Sequence, residues 1–397
     1  AATKAVTLPD DWAASRPGAA TALWYRLRFD AVGARQDGRV LGVLIERACG
    51  DLLVRLNGQT VHGDSAPPQP LAPDCEQPLL VALPAALLED RANTLDLRLA
   101  GFALPQVASR QRAAGLSAPR LGPHVLLQDE LRAGRLLKVT VPHLAAGALL
   151  LMSLVTFLLG WWHPSERHLR YFGALSLAWA LVTLRPWWHG LRVDSFVTET
   201  ALVTLIGVAA LLAIQFLQHF ARRPRRTWSW VLVAQCLLIA VSLVIAGPQR
   251  VHAVASAWYL LLVAEVLFAV GWFVRVARRT RRRDFWKVVG PVAVAAAMVG
   301  IEFAAQQFAL APPWRVSPNA AMPLALLGMG LLLVHQYGRS LRSAEELRNS
   351  LESRIRDTTA AMERNFAQMA ELRVEQVTQQ ERKRIAADLH DDLGAKL

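Results

Sequence analysis

A histidine followed directly by a carboxylate stands near the C-terminal end of the chain, at His390 and Asp391. A neutral imidazole is a nucleophile near neutral pH, and an adjacent carboxylate can orient the ring and take its second proton as a phosphoryl group bonds to the other nitrogen. Ile385, Leu389 and Leu393 recur every four residues, which predicts an apolar helix stripe with His390 beside it and accessible. An accessible, nucleophilic imidazole of this kind is what phosphoryl transfer to a histidine requires.

The residues around this pair follow a specific pattern. From Glu381 to Gly394 the chain reads E-R-K-R-I-A-A-D-L-H-D-D-L-G, which resembles the dimerisation and phosphoacceptor helix of the histidine-kinase subfamily that includes nitrate sensors. The resemblance implies that His390 is the phosphoacceptor, that Asp391 is the orienting general base, and that a response regulator receives the phosphate. It also implies ATP and Mg²⁺ as cofactors of a separate catalytic domain.

Two features depart from that family pattern. Ala395 occupies the position where nitrate sensors carry a glutamine that helps to dephosphorylate the partner, so we do not expect phosphatase activity by that route. No Gly-rich ATP-binding segment precedes Leu397, and we expect the catalytic domain in a continuation of the chain. We therefore predict that residues 1–397 contain the histidine that accepts phosphate, but no cofactor or metal site.

The elements that position His390 include a membrane region. With 53% hydrophobic and 19% charged residues, the chain is too apolar for an ordinary soluble protein. The net charge of +13 comes almost wholly from short Arg clusters between apolar runs in residues 141–338. That distribution favours orientation in a lipid membrane and argues against a nucleic-acid partner.

Seven apolar segments of about 20 residues, the length that crosses a ~30 Å hydrocarbon core, follow one another in this region. Taken together, the loops after the first, third and fifth segments hold far more Arg and Lys than the loops between them, which places the loops after the first, third and fifth segments in the cytoplasm. We therefore predict a multi-pass protein of the bacterial inner membrane, with its N-terminus in the periplasm and its C-terminus in the cytoplasm. The predicted spans are Leu144–Trp161, Leu169–Trp188, Phe196–Leu217, Trp228–Ala246, Val251–Val274, Val288–Phe308 and Pro318–Tyr337.

Two acidic residues stand out inside these spans, Glu265 and Glu302. An ionised carboxylate in hydrocarbon costs on the order of 3 kcal/mol, so each is expected to face the interior of the bundle. They either relay a signal or a proton, with Gln235, His252 or Gln306 as partner, or they are hydrogen-bonded packing groups.

The N-terminal region, residues 1–140, shows a different periodicity. Apolar and polar residues alternate in Trp24–Phe29 and Thr94–Leu99, which predicts half-buried strands. Asn57-Gly58 between two such runs predicts a tight hairpin turn. We predict a periplasmic β-sandwich of the jelly-roll type, which resembles galactose-binding-like domains. Its expected partner is a periplasmic ligand or protein, with carbohydrate-like chemistry as one option.

The same region holds two of the three cysteines, Cys49 and Cys75. Because a periplasmic domain permits oxidation, the two either form a disulfide or remain as unpaired core residues. The third, Cys236, lies inside an apolar run without a partner.

Beyond Gly338 the chain becomes polar and helix-favouring, which predicts one helix continuing from the last span. Residues 339–378 are predicted as a signalling coiled coil that makes a parallel homodimer, and residues 379–397 as the start of the dimerisation and histidine phosphotransfer helix. A single solvated helix is the alternative, since acids and bases balance and several seam positions are polar. The heptad seam has Leu341, Arg348, Ile355, Met362, Met369 and Gln376 at a, and Ala344, Leu351, Thr358, Asn365 and Leu372 at d.

The order of sandwich, seven spans and signalling helix resembles bacterial seven-transmembrane receptors with diverse intracellular signalling modules. The resemblance predicts the sensing portion of a two-component histidine kinase. Two alternatives stay open: a transporter or membrane enzyme with a regulatory tail, motivated by Glu265 and Glu302, and a non-kinase receptor with a vestigial histidine motif.

Overall fold

The protein divides into two compact units, Ala1–Leu333 and Val334–Leu397. Side chains are described except for those of residues 195, 283–285, 302–308, 318–320 and 388–394. The computed structural model describes residues 4–18, 22–32, 40–63, 77–102, 104, 107, 113–185, 195–280, 283–308 and 318–394.

Short antiparallel strands make up the N-terminal part of the first unit. A four-stranded sheet has the order β2-β8-β5-β6, and two three-stranded sheets have the orders β10-β3-β7 and β1-β9-β4. The elements are β1 (Asp10–Asp11), α1 (Trp12–Ser15), β2 (Ala22–Phe29), β3 (Leu41–Ile45), β4 (Ala48–Cys49), β5 (Asp51–Leu56), β6 (Gln59–His62), β7 (Leu79–Leu83), β8 (Asn93–Ala100), β9 (Gly115–Leu116) and β10 (Arg120–Pro123).

The alternation of apolar and polar residues along the strands determines which side chains are buried in the core. On β8 the side chains of Leu95, Leu97 and Leu99 are fully buried, whereas the residues between them are partly exposed. They share one hydrophobic cluster with residues of β3 and β7, such as Val43 and Leu83, so the two larger sheets pack around a common core. Small antiparallel sheets with a buried core are therefore shown, and the jelly-roll topology stays a prediction.

The Asn57-Gly58 turn is confirmed. Leu56 pairs with Gln59, so the two residues form the hairpin loop, and both have positive φ angles of 48° and 86°. Cys49 is buried and disulfide-bonded, while Cys75 lies outside the described residues.

Helices make up the rest of the first unit. Four helical stretches in the described part of the chain are long and apolar enough to cross a membrane: His124–Trp162, Phe196–Phe220, Arg226–Thr280 and Ala321–Ala387. The helices are α2 (His124–Arg135), continued by a π-helical turn (Leu136–Thr140), α3 (Val141–Trp162), α4 (Arg167–Thr183), α5 (Ser195–Phe220), α6 (Arg226–Thr280), α7 (Arg283–Phe308) and α8 (Pro318–Gly394).

The long stretch α6 is a hairpin of two helices. Gly247 has φ 68° and ψ 175°, outside the helical region, and Pro248 follows it. In a straight helix Gln235 and Glu265 would lie about 45 Å apart, yet Gln235 Nε2 lies 3.0 Å from Glu265 Oε1. The chain therefore reverses at Gly247 and gives two antiparallel limbs, 226–246 and 248–280.

Each of the seven predicted spans overlaps one of these helices, and the fourth and fifth correspond to the two limbs of α6. The membrane character is shown by the four apolar stretches, whereas the count of seven stays a prediction. Many apolar side chains on the limbs face outward, such as Leu237 and Ile245. An outward apolar surface of this kind suits contact with lipid.

The predicted continuous helix at the C-terminal end is present. α8 extends without a break through the second unit to Gly394, which gives that unit a helix about 90 Å long. Its surface from residue 339 to residue 387 is almost entirely exposed.

Candidate functional site

The helix backbone passes through His390 and Asp391 and ends at Gly394. The sequence-predicted pair is thus on a helix, as its spacing indicated. The side chains of both residues lie outside what the structure describes, and so does Ala395 as a whole. Just before them, Arg384 Nη2 lies 2.8 Å from Glu381 Oε1, an ion pair across one helical turn.

The predicted heptad seam on α8 lies open along the helix. Its large apolar members are 45% to 63% exposed, which is far more than a soluble helix normally leaves in water. They recur at the spacing of seam positions, which suits burial against a partner helix. These residues are Leu341, Leu351, Ile355, Met362, Met369 and Leu372.

A buried polar cluster lies in the first unit where α5 and the second limb of α6 begin. The Nδ1 atom of His252 lies 3.9 Å from Oε1 of Glu199, and their side chains are 11% and 5% exposed. On its other side, His252 Nε2 lies 2.9 Å from the carbonyl oxygen of Leu104, which belongs to the N-terminal strand region. Among the residues that the structure describes, the Oε2 atom of Glu199 has no hydrogen-bond partner.

Aromatic rings gather at the opposite end of the same helices. The His168 ring, at the start of α4, lies 5.2 Å from Phe220 at the end of α5, and Phe220 lies 5.9 Å from Phe273 near the end of α6. The Arg clusters at 222–226 and 275–279 follow these ring positions in the chain. Both basic clusters therefore belong to one end of the helices, and the Leu104 contact belongs to the other.

The carboxylate predicted at Glu265 has one of its three suggested partners. Gln235 Nε2 donates to both of its oxygens, at 3.0 Å and 3.1 Å. His252, the second suggestion, contacts Glu199 instead. The side chains of Glu302 and Gln306 lie outside the described part of the chain.

The N-terminal domain contains a second buried carboxylate, Asp10. It accepts hydrogen bonds from Tyr25 Oη at 2.8 Å, Ser15 Oγ at 2.8 Å and Arg16 Nη1 at 2.7 Å. Trp12 Nε1 donates to the Tyr25 oxygen at 2.8 Å. Burial opposes ionisation of Asp10, yet these hydrogen bonds together hold its pKa below the ordinary value. Burial raises the pKa of Tyr25, which remains a neutral donor.

Sequence reasoning missed Glu199. It lies inside the predicted span Phe196–Leu217 and is the same kind of signal as Glu265, an acidic residue in an apolar run. Its proximity to one end of that span made it inconspicuous. Its pairing with His252 depends on the reversal at Gly247, which brings distant residues together.

No protein-family model matches this chain, and no curated protein is significantly similar to it.

Proposed function

We propose that this chain is the sensing and transmembrane signalling part of a two-component histidine kinase that is phosphorylated on His390. The main support for this proposal is the sequence from Glu381 to Gly394. This sequence resembles a phosphoacceptor helix and lies at the end of the continuous helix α8. A helix gives the mechanical continuity that transmission from membrane to phosphoacceptor requires.

In this proposal Asp391 orients the imidazole and accepts its second proton as the γ-phosphoryl group of ATP bonds to the other nitrogen, while the bond from the γ-phosphorus to the bridging oxygen breaks and ADP leaves. General-base assistance of this kind contributes about 100-fold or more to a rate. ATP and Mg²⁺ act in a separate catalytic domain, and a response regulator is the final acceptor.

The proposed topology has seven spans, a periplasmic N-terminus and a cytoplasmic C-terminus in the bacterial inner membrane. This topology is supported by the difference between the two ends of the helices. The Arg clusters at 222–226 and 275–279 share one end, and basic residues favour the cytoplasmic side of a membrane. The N-terminal domain contacts the other end through Leu104, which follows β8 in the chain.

The proposed homodimer rests on the exposed seam of α8. A seam of large apolar residues on an isolated helix is unfavourable in water, and a parallel partner helix of the same sequence would bury it. For the N-terminal domain we propose a jelly-roll fold that recognises a periplasmic ligand or protein, with a carbohydrate as one class.

The test joins the full chain to a competent ATP-binding domain and supplies radiolabelled ATP with Mg²⁺. We expect label on the wild-type chain and none on His390→Ala, because no other residue is proposed to accept the phosphate. Asp391→Asn should be labelled about 100-fold more slowly, since the general base is removed.

The matched control is His335→Ala, which removes another histidine from the same helix. It should be labelled like the wild type. Label that persists on His390→Ala would overturn the assignment of the acceptor and leave a receptor with a vestigial motif.

A further inference from the structure

The contact between the N-terminal domain and the helices at Leu104 depends on one imidazole. A carbonyl oxygen only accepts hydrogen bonds, so His252 Nε2 must carry a proton to bond the carbonyl of Leu104 at 2.9 Å. The other ring nitrogen faces Glu199 Oε1 at 3.9 Å. Both side chains are almost inaccessible to water, so an ionised Glu199 carboxylate is costly there unless the imidazole beside it is positively charged or the carboxylate takes up a proton.

The hydrogen bond to Leu104 depends on how many protons His252 and Glu199 hold together. With one proton shared between Nδ1 of His252 and the carboxyl group of Glu199, the Nε2 proton stays free to donate to Leu104. Without the shared proton, the imidazole has a single N–H and faces two acceptors, the Glu199 carboxylate and the Leu104 carbonyl. A hydrogen bond to a charged carboxylate is stronger than one to a neutral carbonyl, so the single N–H is expected to turn to Glu199 although that acceptor is farther away, and the hydrogen bond to Leu104 is then lost.

We propose that Glu199 and His252 form a proton-binding site that fastens the Leu104 segment of the N-terminal domain to the second limb of α6 when the site holds its proton. The unpartnered Oε2 of Glu199 supports this assignment, because a buried carboxylate without a second donor is stabilised by taking up a proton. The fastened state is expected at low pH and the released state at high pH. This inference does not depend on phosphorylation of His390.

The charged groups around Glu199 and His252 influence the pH at which this pair takes up its proton. Arg185, beyond the end of α4, acts electrostatically on both Glu199 and Tyr259, and Glu199 acts electrostatically on Tyr259. The positive charge of Arg185 favours the ionised carboxylate of Glu199 and so opposes proton binding. Thr200 Oγ1, one residue beyond Glu199, is also buried without a partner.

The first limb of α6 contributes apolar side chains to this side of the helices, Ile239 and Leu243. Its described residues therefore add no charge next to the pair. Among the described residues, the titrating groups that face one another here are Glu199 and His252, and Arg185 adds a fixed positive charge.

The experiment measures amide hydrogen exchange of the full chain in lipid nanodiscs at about pH 5 and about pH 8, a range that brackets ordinary imidazole titration. Rates are divided by the intrinsic rate at each pH. We expect protection of the segment around Leu104 and of the start of the second limb of α6 to fall about fivefold at the higher pH, the effect of losing one ordinary hydrogen bond.

Glu199→Gln should remain protected at both pH values, because the amide can donate to Nδ1 of His252 and does not titrate. His252→Gln provides a second variant, since its amide can still donate to Leu104 without titrating. Arg185→Gln should move the transition to higher pH, because a charge that opposes proton binding is removed. Glu265→Gln is the matched control, a carboxylate on the same helix that does not contact His252, and should behave like the wild type.

Equal protection of the wild type at both pH values would overturn the proposal. So would a wild-type-like transition in Glu199→Gln or in His252→Gln. The same preparations, fused to the ATP-binding domain, can be labelled at His390, so a failed kinase assay and a failed proton site are told apart.

Discussion

Among its described residues, the first unit has two buried carboxylates whose surroundings differ sharply, Asp10 in the N-terminal domain and Glu199 in the helices. Asp10 accepts three side-chain hydrogen bonds at 2.7 Å to 2.8 Å, from Tyr25, Ser15 and Arg16. Glu199 has one ring nitrogen at 3.9 Å and an oxygen without a partner. Both are nearly inaccessible, so burial alone does not separate them.

The difference indicates distinct roles. A satisfied polar network fixes one arrangement of its elements, and the Asp10 network holds α1 against β2. An incompletely satisfied buried group is costly to keep, and such groups deserve a functional explanation. We therefore interpret the Asp10 network as a structural contact that holds one arrangement. In our proposal, Glu199 belongs to a contact that forms when its site holds a proton and is lost when it does not.

The largest expected effect is that of Asp10→Asn. The substitution removes the charge that pairs with Arg16 and leaves hydrogen-bond donors with a poorer acceptor, so local stability should fall by about 3 kcal/mol. The measurement is the opening free energy of β2 and β8 from amide exchange of the full chain.

Asp11→Asn is the control for that substitution. Asp11 caps α1 by accepting from Ala13 N at 3.0 Å, and Asn is an equally good cap. We expect Asp11→Asn to have little effect on the opening free energy of β2 and β8. A loss for Asp11→Asn as large as that for Asp10→Asn would show that the whole turn, rather than the buried charge, carries the stability.

The wild-type response to acid is the second prediction. Because the folded-state pKa of Asp10 is below its ordinary value of 3.8, its contribution is complete above that value and is lost as pH falls through the folded pKa. Protection of β2 should therefore weaken in strong acid. The Glu199–His252 contact should strengthen on acidification from neutral pH, so the two clusters respond with opposite signs. Protection of β2 that stays constant in acid would contradict this assignment.

The third prediction concerns the stability of Glu199→Gln. Replacing an unsatisfied buried carboxylate by a neutral side chain of the same shape removes a desolvation penalty, so stability at neutral pH should rise by about 1 kcal/mol. Thermal unfolding in nanodiscs measures the change. A marked loss of stability would place Glu199 with Asp10 as a structural group.

Local patterns predicted much of the fold. Alternation in Trp24–Phe29 and Thr94–Leu99 indicated β2 and β8, and Asn57-Gly58 indicated their neighbouring hairpin. These features depend on residues close in the chain, where period and turn chemistry are sufficient. The apolar runs likewise indicated the helices.

Contacts between distant residues were harder to predict. Glu199 and His252 lie on different helices and meet because the chain reverses at Gly247. Gln235 was one of three partners suggested for Glu265, and only the pairing of the two limbs distinguishes it. Likewise, the contact of Asp10 with Tyr25 follows from how α1 lies on the sheet.

The smallest expected effect tests whether burial, rather than the number of contacts, gives the Asp10 network its strength. Glu46 also has several partners, with Arg120 Nη2 at 2.7 Å and Lys138 Nζ at 3.2 Å, and it joins β10 to the π-helical turn. Its side chain is 45% exposed, compared with 5% for Asp10. Water screens exposed pairs, so Glu46→Gln should cost only about 0.5 kcal/mol in the same amide-exchange measurement. A loss approaching that of Asp10→Asn would mean that contact number matters more than burial, and the contrast drawn between the two carboxylates would then need a different physical basis.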